Sequence, residues 1–148
     1  MNSDSAKRLR KLIQAHAYTT IQMHEAIGRK AGLPGTDHKY LGFLIVKGRM
    51  TAGELAALSG LTTGAVTGLI DRFEKKKLVR RTFAEDDRRK VFIEPITKNI
   101  MSLMEPLYRD FRTQSDKLIA SFSKHEIKVI EKYLSKAIGI MEGNLNKK

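Results

Sequence analysis

The 148-residue sequence contains no cysteine. That excludes disulfides, thiol nucleophiles, cysteine-based redox sensing and thiolate zinc sites, and it fits a reducing compartment. Proline is scarce, at three residues, and the eleven glycines are spread too thinly for a low-complexity segment. No internal repeat is visible. No apolar run approaches the roughly 18 residues that a membrane span needs. The opening residues, MNSDSAKRLRKLIQAHAY, lack the apolar core of a signal peptide. The expectation is a cytoplasmic protein without a membrane partner. Acidic residues are also few, 16 against 28 Lys and Arg, which leaves a formal charge of +12. Such a field attracts polyanions, nucleic acid before anionic membrane, although the same charge serves plain solubility.

Histidine is equally sparse: His16, His24, His38 and His125. His16 and His24 stand eight apart, about 12 Å along a helix, too far to share one ion within a chain. Each reads as a surface or helix-packing residue; the alternative is metal binding across a dimer. No Gly-rich phosphate loop, metal triad or nucleophile motif is present. The expectation is a non-enzyme with no catalytic residue, no cofactor and no metal.

What is present is the makings of one soluble globular domain over residues 1–148, with 41% hydrophobic and 30% charged residues. Leu9, Leu12, Ile13, Ala17, Ile21, Met23 and Ile27 recur at helical spacing, predicting a first helix over residues 5–30. Gly32-Leu33-Pro34-Gly35 breaks it, and Thr36 offers an N-cap for a second helix ending at Gly48. Thr51-Ala52-Gly53-Glu54 is a capping box opening a short third helix to Ser59. Thr62 can cap a fourth helix to about residue 76, with Val66, Leu69, Ile70 and Phe73 inward. The period then changes. Residues 78–84 and 89–96 alternate β-branched and aromatic residues around the polar turn Glu85-Asp86-Asp87-Arg88, predicting a hairpin. Pro95 tolerates only an edge or terminal strand position. Thr97 can cap a fifth helix that Pro106 should kink. Ser123-Lys124-His125-Glu126 is a second capping box before a last helix carrying Ile127, Ile130, Leu134, Ala137, Ile138, Met141 and Leu145 at near-heptad spacing.

The third and fourth helices satisfy the needs of a helix-turn-helix. A small residue must sit where the helices cross, a positive-φ residue in the turn, and a branched apolar residue on the second helix. Ala56, Gly60 and Val66 fill these positions, although any helical hairpin can place Ala and Gly in this way. A basic hairpin immediately after it sharpens the reading, because the second helix can then enter the major groove, about 12 Å wide, with the hairpin beside it as a wing. The major-groove candidates are Thr62, Thr63, Gly64, Thr67, Gly68 and Arg72. The glycines allow close approach to a duplex, or equally tight packing against another helix. Few long hydrogen-bonding side chains point outward, so phosphate contacts and DNA shape share the readout.

Between Arg72 and Lys90 there are nine basic and four acidic residues. The wing and backbone candidates are Lys75, Lys76, Arg80, Arg81, Arg88, Arg89 and Lys90. A charge run is usually a solvated face; beside a recognition helix it points to phosphates. Asp87 is placed to orient Arg89. Tyr40, Phe43 and Tyr108 could line a pocket and are equally good core residues.

TAGELAALSGLTTGAVTGLIDRFEKKKLVRR and DDRRKVFIEPIT, the latter with Asp87, Arg89, Ile96 and Thr97 in the wing pattern, resemble the MarR (multiple-antibiotic-resistance regulator) family over nearly the whole chain. The resemblance implies a mainly helical fold with a small β-hairpin wing (α+β): a winged helix-turn-helix over residues 36–97, flanked by dimerisation helices in 1–31 and 98–148. It implies a homodimer whose fourth helices read the major groove of a pseudo-palindromic double-stranded operator while Arg89 enters the minor groove. It further implies a transcriptional repressor released by a small-molecule effector, whose binding residues the sequence does not identify. Two positions depart from the family pattern: Lys77 stands where Gly is usual after the recognition helix, and Ile100 where Gly is usual past the wing Thr. The missing cysteine excludes the peroxide-sensing mode of some relatives. The rival readings are an architectural DNA-binding protein without ligand control and a winged helix used for protein contacts.

Overall fold

A computed structural model describes residues 3–147. Met1, Asn2 and Lys148, which fall in the expected dimerisation segments, lie outside them. Seven tenths of the described residues are helical, with one small sheet among them. The elements are α1 (Ser3–Lys30), α2 (Asp37–Lys47), β1 (Met50–Thr51), α3 (Ala52–Ser59), α4 (Thr63–Lys75), β2 (Val79–Phe83), β3 (Val91–Pro95), α5 (Thr97–Ala120) and α6 (Lys124–Leu145). Contacts gather into two compact units, one ending at Leu107 and the other beginning at Tyr108 within α5.

The first unit holds the core. Leu33, Leu41, Leu44, Leu55, Val66, Leu69, Ile70, Phe73, Leu78, Val79, Ile93 and Ile100 are almost wholly buried, drawn from α2, α3, α4, β2, β3, α5 and the turns between them, with Met50 of β1 packed beside them. Fully burying one such side chain contributes about 1.5–3 kcal/mol relative to exposure. The inward positions anticipated on α4 are all in this set. The sheet is antiparallel in the order β1–β3–β2. The hairpin was legible; β1 was not, because two residues are too few to show alternation. β1 pairs Met50 with Ile93 and Thr51 with Phe92, which makes β3 the central strand. Pro95 is its terminal residue, opposite Val79, so its missing N–H interrupts little of the ladder.

Helix termini follow local chemistry with three adjustments. Thr36 sits at the N-cap of α2, but its side chain makes no capping bond. The start is held by backbone instead: Asp37 N–H donates to the Pro34 carbonyl at 3.1 Å and Lys39 N–H to the Thr36 carbonyl at 2.9 Å. Thr97 is already the first residue of α5, where the Ile96 carbonyl accepts from Asn99 and Ile100. Ser123 Oγ accepts the Glu126 N–H at 3.1 Å, one half of the anticipated box. Lys77, where Gly is usual in the family pattern, takes φ 59°, the left-handed region that L-residues enter at a cost of roughly 1–2 kcal/mol. The surroundings hold it there: its N–H donates to the Glu74 carbonyl at 2.9 Å, and its own carbonyl accepts Asn99 Nδ2 at 2.8 Å.

The second unit comprises the rest of α5 and α6. α6 has no buried residue, and Leu134, Ile138, Ile140, Met141 and Leu145 are exposed. α5 continues through Pro106, whose missing N–H leaves the Ser102 carbonyl without its helical donor. Among the described residues no helix is long and apolar enough to cross a membrane, and no three His, Asp or Glu side chains gather as a metal site. His24 of α1 and His38 of α2 stack with ring centroids 6.3 Å apart, and burial lowers the His38 pKa.

Candidate nucleic-acid interface

The turn between α3 and α4 is built from short-range bonds. Thr51 Oγ1 accepts the Glu54 N–H at 3.1 Å and Glu54 Oε2 accepts the Thr51 N–H at 3.0 Å, completing the capping box. Gly60 closes α3 with φ 74°, a conformation a β-carbon would resist, and donates to the Ala56 carbonyl at 2.9 Å. Ser59 Oγ accepts the Leu61 N–H at 3.2 Å, and Thr62 Oγ1 caps α4 by accepting from Ala65 at 3.2 Å. Ala56 packs against the core and Val66 lies within it. These contacts fix the angle at which α4 leaves the turn.

The N-terminal half of α4 presents Thr63, Gly64 and Thr67 to solvent. A β-carbon at Gly64 would meet nothing within 4 Å. Packing within this chain therefore does not explain that glycine. Gly68 differs: a β-carbon there would lie 3.4 Å from Arg72 Nη1. Thr67 Oγ1 donates to the Thr63 carbonyl at 3.0 Å, which leaves its oxygen as an acceptor. No acid stands in the first turn, so the positive end of the helix dipole is uncompensated by a side chain of α4.

The C-terminal half is tied inward. Arg72, a major-groove candidate, stays 47% exposed and forks onto Asp37: Nε donates to Oδ2 at 2.8 Å and Nη2 to Oδ1 at 3.0 Å. These bonds raise the Arg72 pKa further above its ordinary value. Arg81, a wing and backbone candidate, bonds Asp71 at 3.0 Å and Glu74, tying β2 to α4; the Asp71 bond is the main cause of its raised pKa. Arg80 pairs with Glu94 across the hairpin at 3.2 Å. Lys76 Nζ lies 3.0 Å from the position a β-carbon would take at Gly32, so it folds over the α1–α2 turn.

The wing keeps its outward charge. The Arg89 side chain is 92% exposed. Asp87 Oδ1 accepts from the Arg89 backbone N–H at 3.0 Å and from Nε at 3.2 Å, so the anticipated contact is present. Arg88 and Lys75 are exposed. Lys90 Nζ lies 5.3 Å from the centre of the Phe92 ring, and the Arg49 guanidinium 4.2 Å from it. Arg49 and Asp37 were not singled out from the sequence. Arg49 lies outside the hairpin and joins it only through the β1–β3 pairing. Asp37 looks like an ordinary acid in a first helical turn.

The chain matches known proteins along its length. The MarR family profile matches residues 31–90. YcgE, an HTH-type transcriptional regulator of Bacillus subtilis, is 34% identical over 145 residues, covering 98% of this chain and 94% of the relative. A MarR family protein from Bacillus stearothermophilus has a similar structure, with a TM-score of 0.74, 27% identity and coverage of 96% of this chain and 99% of that one. A mutant of the S. aureus protein MepR bound to an oligodeoxyribonucleotide shares the fold at a TM-score of 0.60 and 21% identity, over 90% of this chain and 97% of that one.

Proposed function

Because this chain belongs to the MarR family of helix-turn-helix transcriptional regulators, we propose that it binds a pseudo-palindromic operator in double-stranded DNA as a homodimer, repressing transcription until a small molecule releases it. The observation that carries the DNA reading is the outward surface of α4 beside the wing. Gly64 has open space where a side chain would stand, Thr63 and Thr67 flank it, and Arg89 projects nearly free of the protein. In this reading Thr62, Thr63, Gly64, Thr67 and Gly68 serve the major groove. Arg89 enters the minor groove, whose negative potential suits an arginine. Lys75, Arg88, Lys90 and Arg49 meet phosphates, with Phe92 holding the last two in place. With Arg72 engaged by Asp37, long base-reading side chains are few, which favours readout through shape and backbone.

The dimer reading rests on exposed apolar stripes. Leu12 of α1 is 67% exposed and Leu145 of α6 is 82% exposed, with Tyr18, Ile21, Leu134 and Ile138 also open in the single chain. Covering such stripes needs an interface of about 1,200–2,000 Å². Sedimentation at micromolar concentration should show a dimer; a folded monomer would overturn this part. The release reading predicts that some small aromatic or amphipathic molecule lowers operator affinity by favouring a dimer whose α4 helices no longer match successive grooves, about 34 Å apart. Duplexes selected from a random library, titrated with and without such compounds, test it. Sequence preference that no compound alters would favour the architectural alternative.

A further inference from the structure

The Asp37–Arg72 pair is placed where it can govern how α4 meets DNA. Asp37 opens α2 and is buried, at 6% exposure. Its backbone is fixed by the bond to Pro34, and both carboxylate oxygens accept from the same guanidinium, at 2.8 and 3.0 Å. Arg72 lies in the last turn of α4, 35 residues away. The bonds are planar and two-pronged, so they constrain rotation of α4 about its axis as well as its distance from α2. The guanidinium lies along the helix beside Gly68, where a β-carbon would stand 3.4 Å from Nη1, in van der Waals contact.

The Asp37 carboxylate is buried while the Arg72 side chain stays 47% exposed, and such a partly buried pair adds little net stability over a well-packed apolar substitute. What this one adds is orientation: it engages the fork of a cation that still faces solvent. We infer that Asp37 and Arg72 are positioning residues that set the pitch of α4 against α2 and keep the Arg72 guanidinium off the DNA backbone, so that discrimination between sequences depends on a pair that need not touch DNA. The inference rests on the proposed DNA-binding role.

Its consequence has a sign that loss of fold does not reproduce. In Asp37→Asn the fork is broken, α4 gains freedom and Arg72 is released toward phosphates. Affinity for a preferred duplex should fall by roughly tenfold, while affinity for a scrambled duplex holds or rises. The slope of log affinity against log salt should steepen by about 0.9, one additional phosphate contact. Arg72→Lys keeps the cation and loses the fork, so it should show the same collapse of discrimination. Asp37→Glu, which retains the carboxylate, should restore part of it.

The experiment uses the full chain, a duplex selected by the wild type from a random library, and a scrambled duplex of equal composition. Both are titrated at several salt concentrations, with helical content checked for each variant. A preferred-duplex loss beside an undiminished scrambled-duplex affinity, in either Asp37→Asn or Arg72→Lys, supports the inference. Equal losses on both duplexes in both variants would reduce the pair to a structural role and overturn it. Unchanged discrimination in folded variants would overturn it while leaving the DNA reading intact. A wild type that prefers no duplex overturns the DNA reading, and this inference with it.

Discussion

The two halves of α4 have opposite surroundings. From Thr63 to Gly68 the outward positions are small, and Gly64 faces open space. From Asp71 to Lys76 most charged side chains are engaged: Asp71 and Glu74 by Arg81 of β2, Arg72 by Asp37 of α2, and Lys76 over the α1–α2 turn, with Lys75 left exposed. Apolar anchors run along the whole helix, from Val66 to Phe73. The outward face is what differs: it is paired at one end and left bare at the other, the division expected when one end serves a surface outside the protein.

The fastened half should fail first as structure. Phe73 is completely buried, and Phe73→Ala should destabilise the fold by about 3–5 kcal/mol. Chemical denaturation reads this directly, and a loss well under 2 kcal/mol would show that the half is less firmly anchored than its burial suggests. The bare half should behave in the opposite way. Gly64→Ala adds a methyl group where nothing in the chain is near, so stability should rise by roughly 0.5–1 kcal/mol from helix propensity. DNA affinity should nevertheless drop, by roughly 1 kcal/mol, as the methyl holds the duplex away. Lower stability together with unchanged DNA binding would erase the contrast between the halves. The smallest effect belongs to the residue that ends the fastened half. Lys77 occupies the left-handed region, and Lys77→Gly should relieve part of the strain, raising stability by about 0.5–1 kcal/mol in thermal melts. A decrease would show that the bonds to Glu74 and Asn99 leave no net strain.

Much of this arrangement was readable in advance because it depends on neighbours in sequence. The capping box at Thr51, Gly60 in its turn, the inward series Val66, Leu69, Ile70 and Phe73, and the change to strand period all follow from spacing of a few residues. The departure at Lys77 was visible too, since a side chain stands where the family pattern has Gly, but the sequence left open whether the turn is strained or the helix ends differently; the positive φ decides it. Long-range pairing was not readable. Nothing near Arg72 announces that its partner is Asp37, and nothing in the basic run separates Arg81, consumed by Asp71 and Glu74, from Arg89, which projects. β1 escaped notice because its existence depends on β3 lying beside it. Charge counting thus located the surface, and tertiary contacts divided its cations into those that hold the protein together and those left for a partner.

Arg89 is the sharpest case of a cation left for a partner, and it gives the most direct test of the DNA-reading surface. The measurement is a salt titration of wild type and Arg89→Ala on a selected and a scrambled duplex. Among the described residues the side chain is held only by Asp87 of the same loop, so its removal should leave the fold unchanged. Binding to the selected duplex should weaken by about 1–3 kcal/mol, with a shallower salt slope and a reduced preference for A·T pairs beside the half-site. If Arg89→Ala binds both duplexes as the wild type does at every salt concentration, the wing does not read DNA and the account of this surface is wrong.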